Sequence, residues 1–240
     1  MSGHSKWHNI QARKGKADAQ RSNVFTKLGR EISVAVKEGG PDPENNTRLR
    51  LAIQKAKENN MPNDTIAKAI KKANGELGSV NFENIVYEGY GIGGSAVIVE
   101  CLTDNKNRTA GDVRHMFDKF GGSLGTSGSV SYLFKTKGQI IIEKTEETSF
   151  DDIFMLAVEA GAEDIVEDED SFEVFTTPQN FEDVCKALEK SGITLASKSI
   201  TQIPDMYVEL DEKGLATFEK MFDGLDALDD VQEIYHNVKF

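Results

Sequence analysis

Residues 138–203 read GQIIIEKTEETSFDDIFMLAVEAGAEDIVEDEDSFEVFTTPQNFEDVCKALEKSGITLASKSITQI, and the order of patterns in this stretch sets the architecture. Gln139–Glu143, Ala162–Val166, Phe172–Thr176 and Leu195–Ile203 are short runs with the composition of strands. Between them, two segments carry apolar residues at helical spacing. One spans 150–160, with Ile153, Phe154, Leu156, Ala157 and Val158. The other spans 178–191, with Phe181, Val184, Cys185 and Leu188. The sum is β-α-β-β-α-β, the order of a ferredoxin-like sandwich.

Outward from there, residues 82–135 supply β-β-α-β. Asn84–Glu88 and Ala96–Leu102 form a hairpin around Gly89–Gly94. A helix over Arg108–Phe120 turns Val113, Met116, Phe117 and Phe120 inward. A glycine- and serine-rich loop, Gly121–Ser129, leads to a strand at Val130–Phe134. This set lacks a helix and a strand to complete a two-layer sheet, and the tail supplies both. A helix there carries Leu215, Phe218, Met221, Phe222 and Leu225, and a strand covers Val231–Val238. The expectation is a discontinuous domain, 82–135 plus 205–240, with a ferredoxin-like domain at 136–204 inserted in it.

Three short amphipathic helices precede this. The first runs from Ser22 to Lys37, with Phe25, Leu28, Ile32, Ala35 and Val36 on one stripe and Gly39-Gly40-Pro41 as its stop. The second spans Asn45–Asn59, and a third follows Met61-Pro62, capped by Asn63 or Asp64. Lys27, Arg30 and Lys37, then Arg48, Arg50, Lys55 and Lys57, then Lys68, Lys71 and Lys72 fall away from the apolar stripes. Residues 21–80 read as a helical bundle, and 1–20 as a flexible basic arm with too little apolar surface to offset its ordering entropy. The fold class is α+β: an N-terminal three-helix bundle followed by two ferredoxin-like α/β sandwich domains, the last inserted in the middle one.

Charge divides along the same line. Residues 1–80 hold 15 Lys/Arg against 8 Asp/Glu, net +7, and residues 81–240 hold 13 against 32, net −19, together the −12 of the chain. Such asymmetry suggests that the basic part meets a polyanion. The candidate nucleic-acid contacts are Lys6, Trp7, Arg13, Lys14, Lys16, Arg21, Lys27, Arg30, Arg48 and Arg50, with Arg108 and Arg114 as a second group. Trp7, the only tryptophan, could stack on a base or staple onto the first helix. The loop 121–129 could lay backbone N–H groups against phosphate or be a plain connection. Contact by an arm and a loop suits irregular RNA better than a duplex groove.

Other chemistries find no pattern. Gly89, Gly91 and Gly94 fit G-x-G-x-x-G, but a β-branched strand follows where a dinucleotide site needs a helix. The acidic run 163–170 lacks the spacing of an EF-hand. His4 and His8 have no third ligand near, so no metal is expected. Gly125–Ser129 is not a nucleophile elbow, and no catalytic residues, enzyme activity or cofactor are expected. No apolar run reaches membrane-spanning length and no secretory signal is read. Cys101 and Cys185 read as reduced core residues of a cytoplasmic protein.

Several blocks together resemble the YebC family. They include Gly3-His4-Ser5-Lys6-Trp7, Phe25-Thr26-Lys27-Leu28, Gly39-Gly40-Pro41-Asp42-Pro43, Asn46-Thr47-Arg48-Leu49-Arg50 and Asn60-Met61-Pro62. Further along are Tyr87-Glu88-Gly89-Tyr90-Gly91, Glu100-Cys101-Leu102-Thr103-Asp104-Asn105, Asn107-Arg108-Thr109 and Val113-Arg114-His115. Leu124-Gly125 and Gly128-Ser129-Val130 follow, and Asp229–Asn237 closes the set. Ile92 stands where that family usually shows proline. The resemblance implies three domains and a non-enzymatic regulator of gene expression. Members have been labelled as DNA-binding transcriptional regulators. Mitochondrial relatives are translational activators, and bacterial ones look like ribosome-associated factors that ease synthesis of proline-rich stretches. The partner so implied is ribosomal RNA, with DNA as the alternative; a small-molecule sensor is a third reading, of another class. The chain is expected to act as a monomer away from membranes.

Overall fold

The computed structural model describes residues 17–75, 81–145 and 148–239, with side chains from Ser22 onward. The fold is mixed α+β, with N-terminal helices followed by antiparallel sheets. The described residues divide into two compact units. One contains 17–131 and 210–236, the other 132–209 and 237–239.

In the first unit, helices α1 (Ala17–Gly39), α2 (Thr47–Glu58) and α3 (Asn63–Ala73) share one core. It holds Leu28, Ile32, Ala35 and Val36 of α1 with Leu49, Ala52 and Ala56 of α2, Met61, and Ile66 and Ala73 of α3. Apart from Met61, which lies between α2 and α3, these positions recur at helical spacing. α1 begins at Ala17, inside the stretch expected as arm. Asn46 ties α1 to α2. Its side-chain oxygen caps α2 by accepting from Leu49 N at 2.9 Å, and its Nδ2 donates to Ala35 O at 2.7 Å and Gly40 O at 2.8 Å. The cap expected on α3 from Asn63 or Asp64 is absent. Pro62 holds the N-cap position without a side-chain bond, and its fixed φ suits the entry to a helix.

The first sheet has the order β3-β1-β2-β9, built from β1 (Glu83–Tyr90), β2 (Ala96–Thr103), β3 (Ser123–Leu124) and β9 (Val231–His236). β1 and β2 form a hairpin pairing Glu83 with Thr103 through Tyr90 with Ala96. Its turn takes positive φ at Gly93 and Gly94, the freedom glycine supplies. Helices α4 (Lys106–Lys119) and α7 (Glu212–Asp226) pack on one face. Phe117 and Phe218 are fully buried there, each worth about 2–3 kcal/mol of burial. A side chain at Gly89 would meet Phe117 at 2.7 Å and Ser123 O at 2.6 Å, so β3 can close on β1 only beside glycine.

The second unit pairs β4 (Phe134–Glu143), β5 (Ala162–Glu167), β6 (Ser171–Thr176) and β7 (Ser197–Pro204) in the order β5-β6-β4-β7, all antiparallel. Helices α5 (Phe150–Glu159) and α6 (Phe181–Lys190) cover one face through Ile153, Ala157, Phe181, Val184, Cys185 and Leu188. This is the ferredoxin-like arrangement. The first sheet is also four-stranded and antiparallel, but its strands run 3-1-2-4 in chain order where those of the second run 2-3-1-4, so the ferredoxin-like order expected of both domains is found in the second alone. The strand expected at Val130–Phe134 is instead a 3-10 turn at Ser131–Leu133 running into β4, and β1 is flanked by β3. The terminal strand stops at His236. Val238–Lys239 (β10) pairs in parallel with Val208–Glu209 (β8) in the second unit.

Asn46→Ala removes a cap and strands two carbonyls in a buried site. It should lower stability by about 2 kcal/mol, seen as a lower urea midpoint by far-UV circular dichroism.

Candidate nucleic-acid interface

α1 must satisfy two faces. Opposite its core stripe, Asn23, Lys27 and Arg30 recur at helical spacing and bond to the turn between α7 and β9. Asn23 Nδ2 donates to Asp226 O at 3.1 Å. Lys27 Nζ donates to Asp226 O at 2.9 Å and to its carboxylate at 2.8 Å. Arg30 donates to Leu102 O at 2.9 Å and to the Asp230 carboxylate, and its guanidinium lies over the Phe82 ring. The Lys27 and Arg30 side chains are only 13% and 14% exposed. Both were expected to face a polyanion. The structure turns them inward because the face of α1 that leaves the bundle core is itself docked on an acidic turn.

Asp230 is the centre of that junction, with a side chain 7% exposed. Besides Arg30 it accepts from Arg108 Nη2 at 2.8 and 2.9 Å, Thr109 Oγ1 at 2.6 Å and Thr103 Oγ1 at 3.2 Å. Burial alone would push its carboxyl up; the Thr109 hydroxyl and the two guanidinium groups outweigh that and hold it below the usual range. Arg108 also grips Asp104 at 2.7 Å, and hydrogen bonding to Asp230 and Asp104 pushes its own value up. The cavity here, about 370 Å³, is lined by Arg30, Arg108, Asp104, Asp112, Asp229 and Asp230. Four carboxylates around two engaged guanidiniums make a poor phosphate seat, which counts against Arg108 as a second contact. Arg114 lies exposed on α4.

The loop 121–129 is spoken for as well. The Glu88 carboxylate, buried under it, accepts from Gly128 N at 2.8 Å, Val130 N at 2.9 Å and Ser131 N at 2.8 Å, while Glu88 O accepts from Gly125 N at 2.7 Å. Burial would raise the Glu88 carboxyl, but these N–H donors more than reverse it and leave it low. Several N–H groups that sequence reading offers to phosphate are therefore taken within the chain: Gly128 N by the Glu88 carboxylate, and Gly121, Gly122, Gly125 and Ser129 N by backbone carbonyls. Nothing local in the sequence marks Glu88 as their partner.

What remains open is the outer surface of α2 and α3. Arg50 and Lys57 share one exposed face of α2, and Lys68, Lys71 and Lys72 share one of α3. Among the described residues none of the five makes an ion pair. Lys55 reaches Glu31 at 3.4 Å and Glu233 at 3.8 Å, and Arg48 pairs with Glu38 in a half-exposed bridge. Lys6, Trp7, Arg13, Lys14 and Lys16 lie outside the described residues, as does the side chain of Arg21. Cys101 and Cys185 are free and buried; burial pushes their thiols up to about 12 and about 11, so they are inert. Among the described residues, no group of three or more His, Cys, Asp or Glu could hold a metal ion, and no helix is long and apolar enough to cross a membrane.

Sequence profiles described as the TACO1/YebC protein N-terminal domain and the TACO1/YebC second and third domain match residues 5–76 and 82–238. The chain belongs to the TACO1/YebC family. It is 58% identical over 241 residues to a protein of Clostridium botulinum Eklund 17B named "Probable transcriptional regulatory protein CLL_A1008", covering 100% of this chain and 98% of that one. A protein of Clostridium beijerinckii with the same descriptive name is 58% identical over 240 residues, with the same coverage. The crystal structure of a conserved hypothetical protein from Aquifex aeolicus superposes with a TM-score of 0.78 at 46% identity, covering 94% of this chain and 93% of that one. Within the family's span, the described cations sort into the internally paired, Lys27, Arg30 and Arg108, and the free, headed by Lys68, Lys71 and Lys72.

Asp230→Asn leaves two guanidinium groups without their shared counter-charge. It should cost about 3–5 kcal/mol, read as a fall in the urea midpoint. Glu88→Gln should speed amide exchange at Gly128, Val130 and Ser131 by about tenfold or more, since a charged acceptor bond contributes about 1.5–3 kcal/mol. Because the Glu88 carboxyl is held low, the wild-type protection should persist through the ordinary carboxylate range. It should fade only as pH falls below it, measured by the same exchange across pH.

Proposed function

We propose that this protein is a non-enzymatic, nucleic-acid-binding regulator of gene expression, and that the nucleic acid is ribosomal RNA. The observation that carries the reading is the set of unpaired cations on α2 and α3. A lysine whose carboxylate partner is supplied within the fold has little to offer a phosphate. Among the described residues Lys68, Lys71 and Lys72 have no such partner; they lie within about one turn of each other and belong to the same basic segment as Lys6, Arg13, Lys14, Lys16 and Arg21. Phosphate contacts of this kind bind through counterion release. The remainder of the chain, net −19, is repelled by general nucleic-acid surface and restricts the factor to approaches that lead with the bundle. Arg48 can exchange its half-exposed Glu38 for phosphate at little cost, because such a bridge contributes under about 1 kcal/mol.

A second reading, a DNA-binding transcriptional regulator, is favoured by the names of the clostridial relatives. Against it, the free faces carry lysines, which grip backbone, rather than a row of Asn, Gln and Arg placed to read bases.

The triple change Lys68→Glu, Lys71→Glu and Lys72→Glu should weaken co-sedimentation with ribosomes by at least about tenfold. It should lower the slope of log affinity against log salt by about 2, at about 0.7 per lost contact to single-stranded RNA. Competition between ribosomes and a duplex DNA fragment at matched salt separates the two readings. Unchanged affinity with an unchanged slope would remove the α3 face from the interface, and preference for the duplex would favour DNA.

A further inference from the structure

The second unit has a surface of the opposite kind. α5 buries Ile153 and Ala157 against its sheet. Phe154 and Val158, one turn apart, and Met155 beside them point elsewhere and are 43%, 48% and 59% exposed. Three large apolar side chains in one run on a helix ten residues long are more than the scattered exposure of an ordinary surface. The helix moment is satisfied without them, since the core stripe already lies on the other side.

The segment that carries this stripe is acidic. Residues 148–170 contain nine Asp/Glu and no Lys, Arg or His. Asp151 and Asp152 sit one turn before Met155, and Glu159 one turn after it. Among the described residues, lysines meet only Glu163, from Lys137 at 3.3 Å, and Glu167, from Lys144 at 2.9 Å. Asp151, Asp152 and Glu159 make no ion pair.

We propose that the outer face of α5 is a docking site for a basic amphipathic helix of a partner protein. The apolar stripe fits residues spaced i and i+4 on such a helix, and the carboxylate rim fits its lysines and arginines. The same rim repels nucleic acid and anionic lipid. It also disfavours a second copy of this chain, which would bring a second Asp151, Asp152 and Glu159 to the contact. This surface belongs to the second unit and the lysine face of α3 to the first.

The probe is a labelled peptide of leucine and lysine, about 18 residues or five helical turns long, with its leucines on one face. A peptide of equal composition with scattered leucines is the control. The intact chain should bind the patterned peptide at least about tenfold tighter than the scattered one, followed by anisotropy at near-physiological salt. Met155→Ser with Val158→Ser should abolish that difference. Both positions are exposed, and circular dichroism checks the fold; should the pair unfold, Met155→Glu alone carries the test. Equal binding of both peptides, or of wild type and variant, overturns the proposal. So does a dimer that the variant dissolves, which assigns the face to self-association. A gain of affinity on removing residues 1–16 also overturns it, by making the chain's own arm the occupant.

Discussion

The Asp230 carboxylate accepts from two arginines that the sequence keeps 78 residues apart, and the first unit depends on that convergence. Burying a carboxylate is costly unless its charge is matched and its lone pairs are filled. Here Arg30 arrives from α1, Arg108 from α4, and the hydroxyls of Thr103 and Thr109 complete the shell. The backbone joins in, because Leu102 N donates to Asp230 O at 2.7 Å while Leu102 O accepts from Arg30. One residue thus fixes the helical bundle, the end of β2 and the start of α4 to the turn that begins β9. Replacing the group by an apolar core would also bury surface. It would not specify which face of α1 turns inward, and that choice decides which cations remain for function.

The split of net charge consequently has two physical meanings. Part of the basic excess in residues 1–80 is matched inside the fold, through Lys27 with Asp226, Arg30 with Asp230 and Lys55 with Glu31 and Glu233. These pairs act as fasteners between a basic bundle and an acidic sheet domain. The rest, on α2 and α3, is excess in the strict sense that no carboxylate answers it among the described residues. Counting charges along a sequence cannot separate the two populations, because each is outside its own helix's apolar stripe.

Local patterns were legible and long-range partners were not. The stripe Leu28, Ile32, Ala35 and Val36 locates α1 and its core. The β-α-β-β-α-β run of the second unit reads directly from alternating periodicities. Lys27 and Arg30 read as outward because amphipathicity names one buried face, whereas α1 has two. Val130–Phe134 reads as a strand because its residues favour strands. Register, though, is set by what can approach Gly89, and only the short Ser123–Leu124 does so. The loop 121–129 looks free for phosphate because glycine-rich backbone advertises N–H groups. The carboxylate that takes the one at Gly128, with those of Val130 and Ser131 just past the loop, lies on β1, 40 residues before Gly128.

That last substitution has its own logic. A glycine-rich loop facing a polyanion would be ordered only when the polyanion is bound, and ordering it costs about 1–2 kcal/mol per residue. Glu88 supplies the anion from within. Its two oxygens collect three N–H groups at 2.8–2.9 Å, so the loop's shape is set before any partner arrives. Gly125, Thr126, Ser127 and Gly128 are left exposed in a row at its tip. An internal carboxylate also makes the loop electrostatically unreceptive to phosphate, since a second anion would meet Glu88 behind the same amides. The economy of the fold is therefore the same at both sites of the first unit. Acidic side chains of the sheet domain occupy the donors nearest to them, at Asp230 and at Glu88, and leave Arg50, Lys57, Lys68, Lys71 and Lys72 as cations without an ion pair among the described residues of α2 and α3.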